Sequence, residues 1–215
     1  MERLSKFEFP LKTNDVTRAY FEQMGNLEAA AVKRDLGQVA GGSVESMKRV
    51  AAASPTWNSM LRTTCVATVL EGGHAVNALP QLAAANVNCR ILPEDSTEYV
   101  QNTLKKVVAD DQVRIALVED EGHAPVLPIN PEVMQGIRKV SRMMWPGVPI
   151  LPTMSTGATD GRYLRVAGIP TYGVSGFFID RDDVRAHGRD ERMGVDAFYE
   201  GQNFLYDLVK TLASK

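Results

Sequence analysis

Cysteine is nearly absent: Cys65 and Cys89 are the whole supply in 215 residues. Two are too few for a disulfide framework, and their spacing excludes a Cys-x-x-Cys zinc or redox pair. The expectation is two buried thiols in strands. A surplus of either charge is also lacking, with 24 basic and 26 acidic residues giving a net charge of -2. Binding to nucleic acid or an anionic membrane rests on clustered Lys and Arg, so no nucleic-acid or membrane partner is expected. No 18-residue apolar run occurs, and the first thirty residues alternate charged with small side chains. Neither a transmembrane helix nor a signal peptide is expected from that pattern. Repeats and low-complexity tracts are missing too.

What is present is an ordinary globular composition, 44% hydrophobic, long enough for one large domain or two small ones. Residues 1 to 60 read as helical. Asn14 or Asp15 caps a helix carrying Val16, Tyr20, Phe21 and Met24, ended by Gly25-Asn26. A second helix is expected from Leu27 to about Leu36. Ser43 caps a third with Val44, Met47 and Val50, closed at Ser54-Pro55.

From Leu61 the pattern changes to β-branched residues. A hairpin is expected, with one strand over 63–69, a long tip, and a return strand over 82–92. A helix from Ser96 to Val108 and a strand from Val113 to Val118 follow. The order strand, strand, helix, strand is most of a ferredoxin-like β-α-β-β-α-β unit. The proline-rich stretch Gly122 to Pro131 marks a boundary, giving domains over 1–122 and 123–215. The second part reads as α/β, with a helix begun by Asn130-Pro131, strands over 148–151 and 170–174, a helix over 159–166 and a closing helix over 195–212.

Three stretches could carry chemistry. At the hairpin tip, Gly72-Gly73-His74 precedes Asn77, and Arg90 lies on the return strand. Paired glycines permit close approach of a ligand, an Asn amide both donates and accepts, and an Arg fork grips a carboxylate. The alternative is a structural hairpin turn with a solvated arginine. Met154 to Arg162 gathers small residues after an expected strand, where backbone N–H groups meet oxyanions. It lacks the lysine and spacing of a phosphate-binding loop, and the alternative is a helix start capped by Thr159 or Asp160. His187 stands in a window, Asp180 to Arg192, with five acids and four arginines, a mixture that holds a loop by local pairing. Gly188 opens space beside it and nearby acids can orient its ring, so it is the best ligand candidate of the three histidines, the alternative being a surface histidine; His123 reads as a solvated loop residue.

In order, Gly-Gly-His-Ala-x-Asn-Ala-x-Pro, Asn88-Cys89-Arg90-Ile91-Leu92-Pro93, Gly157-Ala158-Thr159-Asp160-Gly161-Arg162 and His187-Gly188-x-Asp190-Glu191-Arg192 resemble one family. It is that of the dinuclear zinc exopeptidases, which includes aminoacylases, glutamate carboxypeptidase and Gly-X carboxypeptidases. The resemblance covers the carboxyl-terminal half of such an enzyme. It implies an α+β lid of ferredoxin-like type that dimerises, up to about residue 122, followed by part of the catalytic α/β domain. It further implies that His187 ligates one of two zinc ions, that Asn77 and Arg90 reach a substrate in the neighbouring subunit, and that Gly157, Ser175 and Gly176 line the cleft. The substrate class is a small peptide or N-acyl amino acid.

The family's His-x-Asp pair, bridging Asp, Glu-Glu pair, further acid and lid histidine have no counterpart here, and no histidine precedes His74. A catalytic zinc takes about three protein ligands. The expectation is therefore a fragment without hydrolase activity of its own and without tightly bound zinc. The competing reading is a dimerisation or interaction module, and a weaker third is a small-ligand regulatory domain.

Overall fold

The computed structural model describes residues 1–118, 124–180 and 183–214. The boundary placed at 122/123 and His123 lie outside the described residues. The chain divides into two compact units, one of Met1–Leu127 with Leu151–Pro170, the other of Pro128–Ile150 with Thr171–Lys215.

The first unit begins with a short helix α1 (Glu2–Lys6) and then four packed helices. Helix α2 (Asp15–Met24) starts at a capping box: the Asn14 side chain accepts from Thr17 N–H while the Thr17 hydroxyl accepts from Asn14 N–H. Helix α3 spans Ala30–Ala40, later than the expected Leu27 start. Helix α4 (Val44–Ala53) is capped by Ser43 as expected. The chain does not leave helix at Ser54-Pro55. Ser54 caps a further helix, α5 (Pro55–Leu61), in which Pro55 occupies a first-turn position that needs no N–H donor. Phe21, Leu36, Val39, Met47, Val50, Trp57, Met60 and Leu61 close a common core between α2, α3, α4 and α5. On its rim Arg49 grips Asp35 with both arms, at 2.6 and 2.9 Å. That guanidinium, assisted by the Ser46 hydroxyl, holds the Asp35 carboxyl below its ordinary range.

Strands β1 (Thr64–Gly72) and β2 (Ala83–Arg90) form the expected antiparallel hairpin. Its register slips by one between Ala67 and Val69, so Thr68 is an extra residue in β1. Cys65 faces Cys89 across the ladder, and the two are joined in a disulfide rather than left as thiols. Their directly opposed positions bring the sulfurs into bonding range, which the expectation of free thiols missed. Helix α6 (Thr97–Val108), capped by Ser96, packs Val100 and Leu104 on Phe9, with Cys65, Cys89 and Ile115 around them.

A buried polar knot ties the hairpin base to the amino-terminal segment. Asp95, 3% exposed, accepts from the Thr63 hydroxyl at 2.7 Å and pairs with Lys12. Thr63 in turn accepts from Leu92 N–H at 3.0 Å, and Lys12 N–H donates to Leu61 C=O at 2.7 Å.

The expected strand over 113–118 is not formed, nor are those over 148–151 and 170–174. Among the described residues the sheet has two strands. β-Branched composition makes a strand only where an edge is offered to pair with, and residue 115 instead turns its side chain into the cluster around Phe9. The first unit is thus α+β, with a sheet smaller than a full ferredoxin-like unit.

The second unit is built on α7 (Pro131–Met144) and α9 (Val195–Ala213). The Asn130 side chain accepts from the N–H groups of Glu132 and Val133, as the sequence anticipates. Val140, Phe204 and Leu208 form the core, with Ile137, Trp145 and Leu212 beside them. Phe198, on the same helix, is 42% exposed. Gly136 lets the helices approach closely: a methyl there would lie 2.8 Å from Leu212 Cδ2.

Candidate functional site

The hairpin positions two of the candidate residues. Asn77 sits exposed in the turn at the tip, and Arg90 is exposed at the far end of β2, paired with Thr64. The eight residues of β2 span about 23 Å at roughly 3.3 Å per residue. The two side chains therefore lie at opposite ends of the hairpin and do not meet on one small ligand within a chain. Near the tip, Glu71, Gly72, Gly73, His74, Gln81, Leu82 and Ala84 surround a shallow cavity of about 310 Å³. Gly73 has φ +75°, a conformation that side chains rarely adopt, so the second glycine of the pair is required by the turn itself.

Gly157 is exposed, and its N–H donates to the Ser155 hydroxyl at 3.3 Å. It precedes α8 (Gly161–Val166), whose N-cap is Asp160 without a side-chain cap bond. Ser175 is exposed and its hydroxyl accepts from Phe177 N–H at 3.2 Å. Gly176 is buried, and a methyl on it would lie 2.6 Å from Phe204 Cδ1. Packing against Phe204 accounts for that glycine without a ligand. Asn77, Arg90 and Gly157 belong to the first unit, and Ser175, Gly176 and His187 to the second.

His187 is exposed, with φ +65°. The left-handed conformation costs a residue with a Cβ about 1–2 kcal/mol, so the turn around it must be held by other contacts. Gly188 N–H donates to Arg185 C=O at 2.9 Å, and Glu191 N–H to Gly188 C=O at 3.3 Å. Arg185 pairs with both Asp183 and Asp190, and Arg192 reaches Asp183 at 2.7 Å. The hydrogen bond from Arg185, then that from Arg192, holds the Asp183 carboxyl below its ordinary range. Among the described residues of this window, Asp183, Arg185, Asp190 and Arg192 form local pairs.

No group of three or more His, Cys, Asp or Glu residues able to hold a metal ion exists among the described residues. His187 can offer a metal one nitrogen. The residues present do not fit a catalytic zinc, which needs about three protein donors. No described helix is long and apolar enough to cross a membrane.

The chain matches the family model described as a peptidase dimerisation domain over residues 8–116. It is 29% identical over 168 residues to the human N-fatty-acyl-amino acid synthase/hydrolase PM20D1, covering 76% of this chain and 34% of that protein. It is 27% identical over 166 residues to the probable carboxypeptidase S-like 2 of Dictyostelium discoideum, covering 76% and 32%. Human aminoacylase-1 is 29% identical over 152 residues, covering 68% and 36%. The chain thus spans about a third of the length of the curated relatives it matches. No solved structure matches.

Proposed function

Because the chain belongs to the peptidase dimerisation-domain family, we propose that it is the carboxyl-terminal part of a metal-dependent hydrolase that cleaves an amide bond next to a free carboxylate. One observation carries the reading: three quarters of the chain aligns with a third of proteins named as an N-fatty-acyl-amino acid synthase/hydrolase and a probable carboxypeptidase S-like protein. In this reading residues 1–122 supply most of the lid and dimerisation domain, and residues 123–215 supply the end of the catalytic domain. The whole enzyme holds two zinc ions, and His187 ligates one of them. Arg90 suits the carboxylate of a small peptide or N-acyl amino acid through its fork, and Asn77 suits a carbonyl, in a neighbouring subunit; because they lie at opposite ends of the hairpin, one chain brings only one of the two to a given small substrate. Gly157, Ser175 and Gly176 line the cleft. These residues bind and orient; the general base and the remaining metal donors have no counterpart here, so the chain alone is inactive.

The test is hydrolysis of N-acetyl amino acids and Gly-X dipeptides by the purified chain with and without added zinc. No turnover is expected, and metal-dependent turnover removed by chelation would overturn the reading. Binding of an N-acetyl amino acid followed by NMR should be lost in Arg90→Ala. Equal binding by that variant would remove Arg90 from the site.

A second reading, a dimerisation module without catalysis, is favoured by the hairpin surface. Val66, Leu70 and Leu82 are 63%, 68% and 77% exposed, and two-stranded sheets are marginal without a covering layer. A stable homodimer that binds neither zinc nor carboxylate ligand would establish this reading over the first.

A further inference from the structure

Helix α9 carries two apolar faces. One, through Gly201, Phe204 and Leu208, is buried in the second unit. The other runs through Val195, Tyr199, Gln202, Tyr206, Val209 and Ala213, all exposed. Val195, Tyr199, Tyr206 and Val209 are each 60–70% exposed. A surface helix ordinarily buries one stripe and offers polar side chains elsewhere, so the packing of this unit does not account for the second stripe. Its spacing alternates four and three residues without a break from Val195 to Ala213. That is the repeat by which two helices interlock side chains. It covers the whole 19-residue helix, about 28 Å at 1.5 Å per residue.

We propose that this face binds the same face of a second copy of the chain, with the two α9 helices antiparallel about a two-fold axis. Charge selects both the occupant and the direction. Beside the stripe, spaced one heptad apart, stand Asp196, Asn203 and Lys210, all exposed. Residues flanking such a seam set partner choice and orientation. The Lys210 ammonium lies 5.1 Å from the centre of the Tyr206 ring, which keeps it at the edge of the stripe. With Asn203 at the axis, Asp196 of each copy meets Lys210 of the other. One acid and one base thereby give two ion pairs by symmetry. A parallel pair in register sets Asp196 level with Asp196 and Lys210 level with Lys210, and gives neither. The antiparallel register also places Tyr199 against Val209, Tyr206 against Gln202 and Val195 against Ala213, so no tyrosine opposes another. Opposed helix dipoles favour the same direction. This contact is separate from the hairpin surface and holds whether or not the chain is part of a hydrolase.

The test is sedimentation velocity of the 215-residue chain from micromolar to millimolar concentration. A concentration-dependent dimer is expected, weak because one helix pair lies at the small end of specific interfaces. Asp196→Lys and Lys210→Asp each turn two attractive contacts into two repulsive ones and should weaken association by about tenfold. Combining them restores complementary charges, so the double variant should associate about as well as wild type. That recovery separates a contact between copies from damage to α9 itself. Tyr206→Ala should weaken the dimer while leaving the melting midpoint in place. A monomer across the whole range would overturn the proposal. So would a dimer equally strong in both single reversals; if Leu70→Asp then dissociates it, the hairpin and not α9 is the interface.

Discussion

Replacing both Cys65 and Cys89 by alanine tests how the first unit is held together. The crosslink closes a hairpin loop with a sequence separation of 24. The chain-entropy relation for such a loop gives about 3.5 kcal/mol at 25 °C, as restriction of the unfolded chain. Part of that is lost because strands joined by a turn already approach one another when unfolded. A destabilisation of about 2–3 kcal/mol is therefore expected. For a unit of this size, that lowers the melting midpoint by roughly 5–12 °C. The assay is thermal unfolding by circular dichroism of wild type and variant, each with and without a dithiol reductant. Reductant should move wild type down to the variant and leave the variant unmoved. A variant that melts with wild type, or a reductant effect of equal size on both, would show that the bond does not restrain this hairpin.

Asp95→Ala should cost about 2–4 kcal/mol, less than a fully buried pair because Lys12 is one-third exposed. A urea midpoint within error of wild type would remove the polar knot as a determinant of the hairpin base. Gly201→Ala places a methyl 2.4 Å from Phe177 Cδ1 and should destabilise the second unit by about 1–3 kcal/mol. Gly157→Ala, with nothing nearer than 3.8 Å, should change stability by less than about 0.5 kcal/mol; equal effects at the two sites would contradict the packing. Asp35 titrates lower in the folded chain than its ordinary 3.8. Its contact with Arg49 thus stabilises the fold above that pH, and the contribution is lost as pH falls through the lower folded value. Acid unfolding of Asp35→Asn should be less steep than that of wild type below pH 3.8, and superimposable curves would refute the assignment.

Local rules made much of this fold legible. Asn14, Ser43, Ser96 and Asn130 each accept from a first-turn N–H, and each was readable because a short polar side chain preceded an apolar period. The hairpin was equally plain. What escaped were features depending on distant partners. Val113 to Val118 has the residues of a strand without an edge to join, and Pro55 reads as a stop until Ser54 is seen to cap a new helix. Asp95 looks like one polar residue of a turn, and nothing nearby in sequence reveals that Lys12 and Thr63 converge on it. At the candidate site, His187 and the pairing of its charged neighbours could be anticipated. The left-handed backbone at the histidine could not, since the adjacent glycine is the position that local preference selects.

Two glycines and two phenylalanines in the second unit bind each other's histories. Gly176 lies beneath Phe204, and Gly201 beneath Phe177, with clearances that exclude a single added carbon in either place. Each ring occupies the space that the opposite backbone leaves bare. Neither glycine can drift to a larger residue until the facing ring has first become smaller, and a smaller ring in place of either leaves a void that only a compensating change refills. The four positions should therefore change through divergence in matched steps, glycine with its facing aromatic, while the exposed surface around them varies freely.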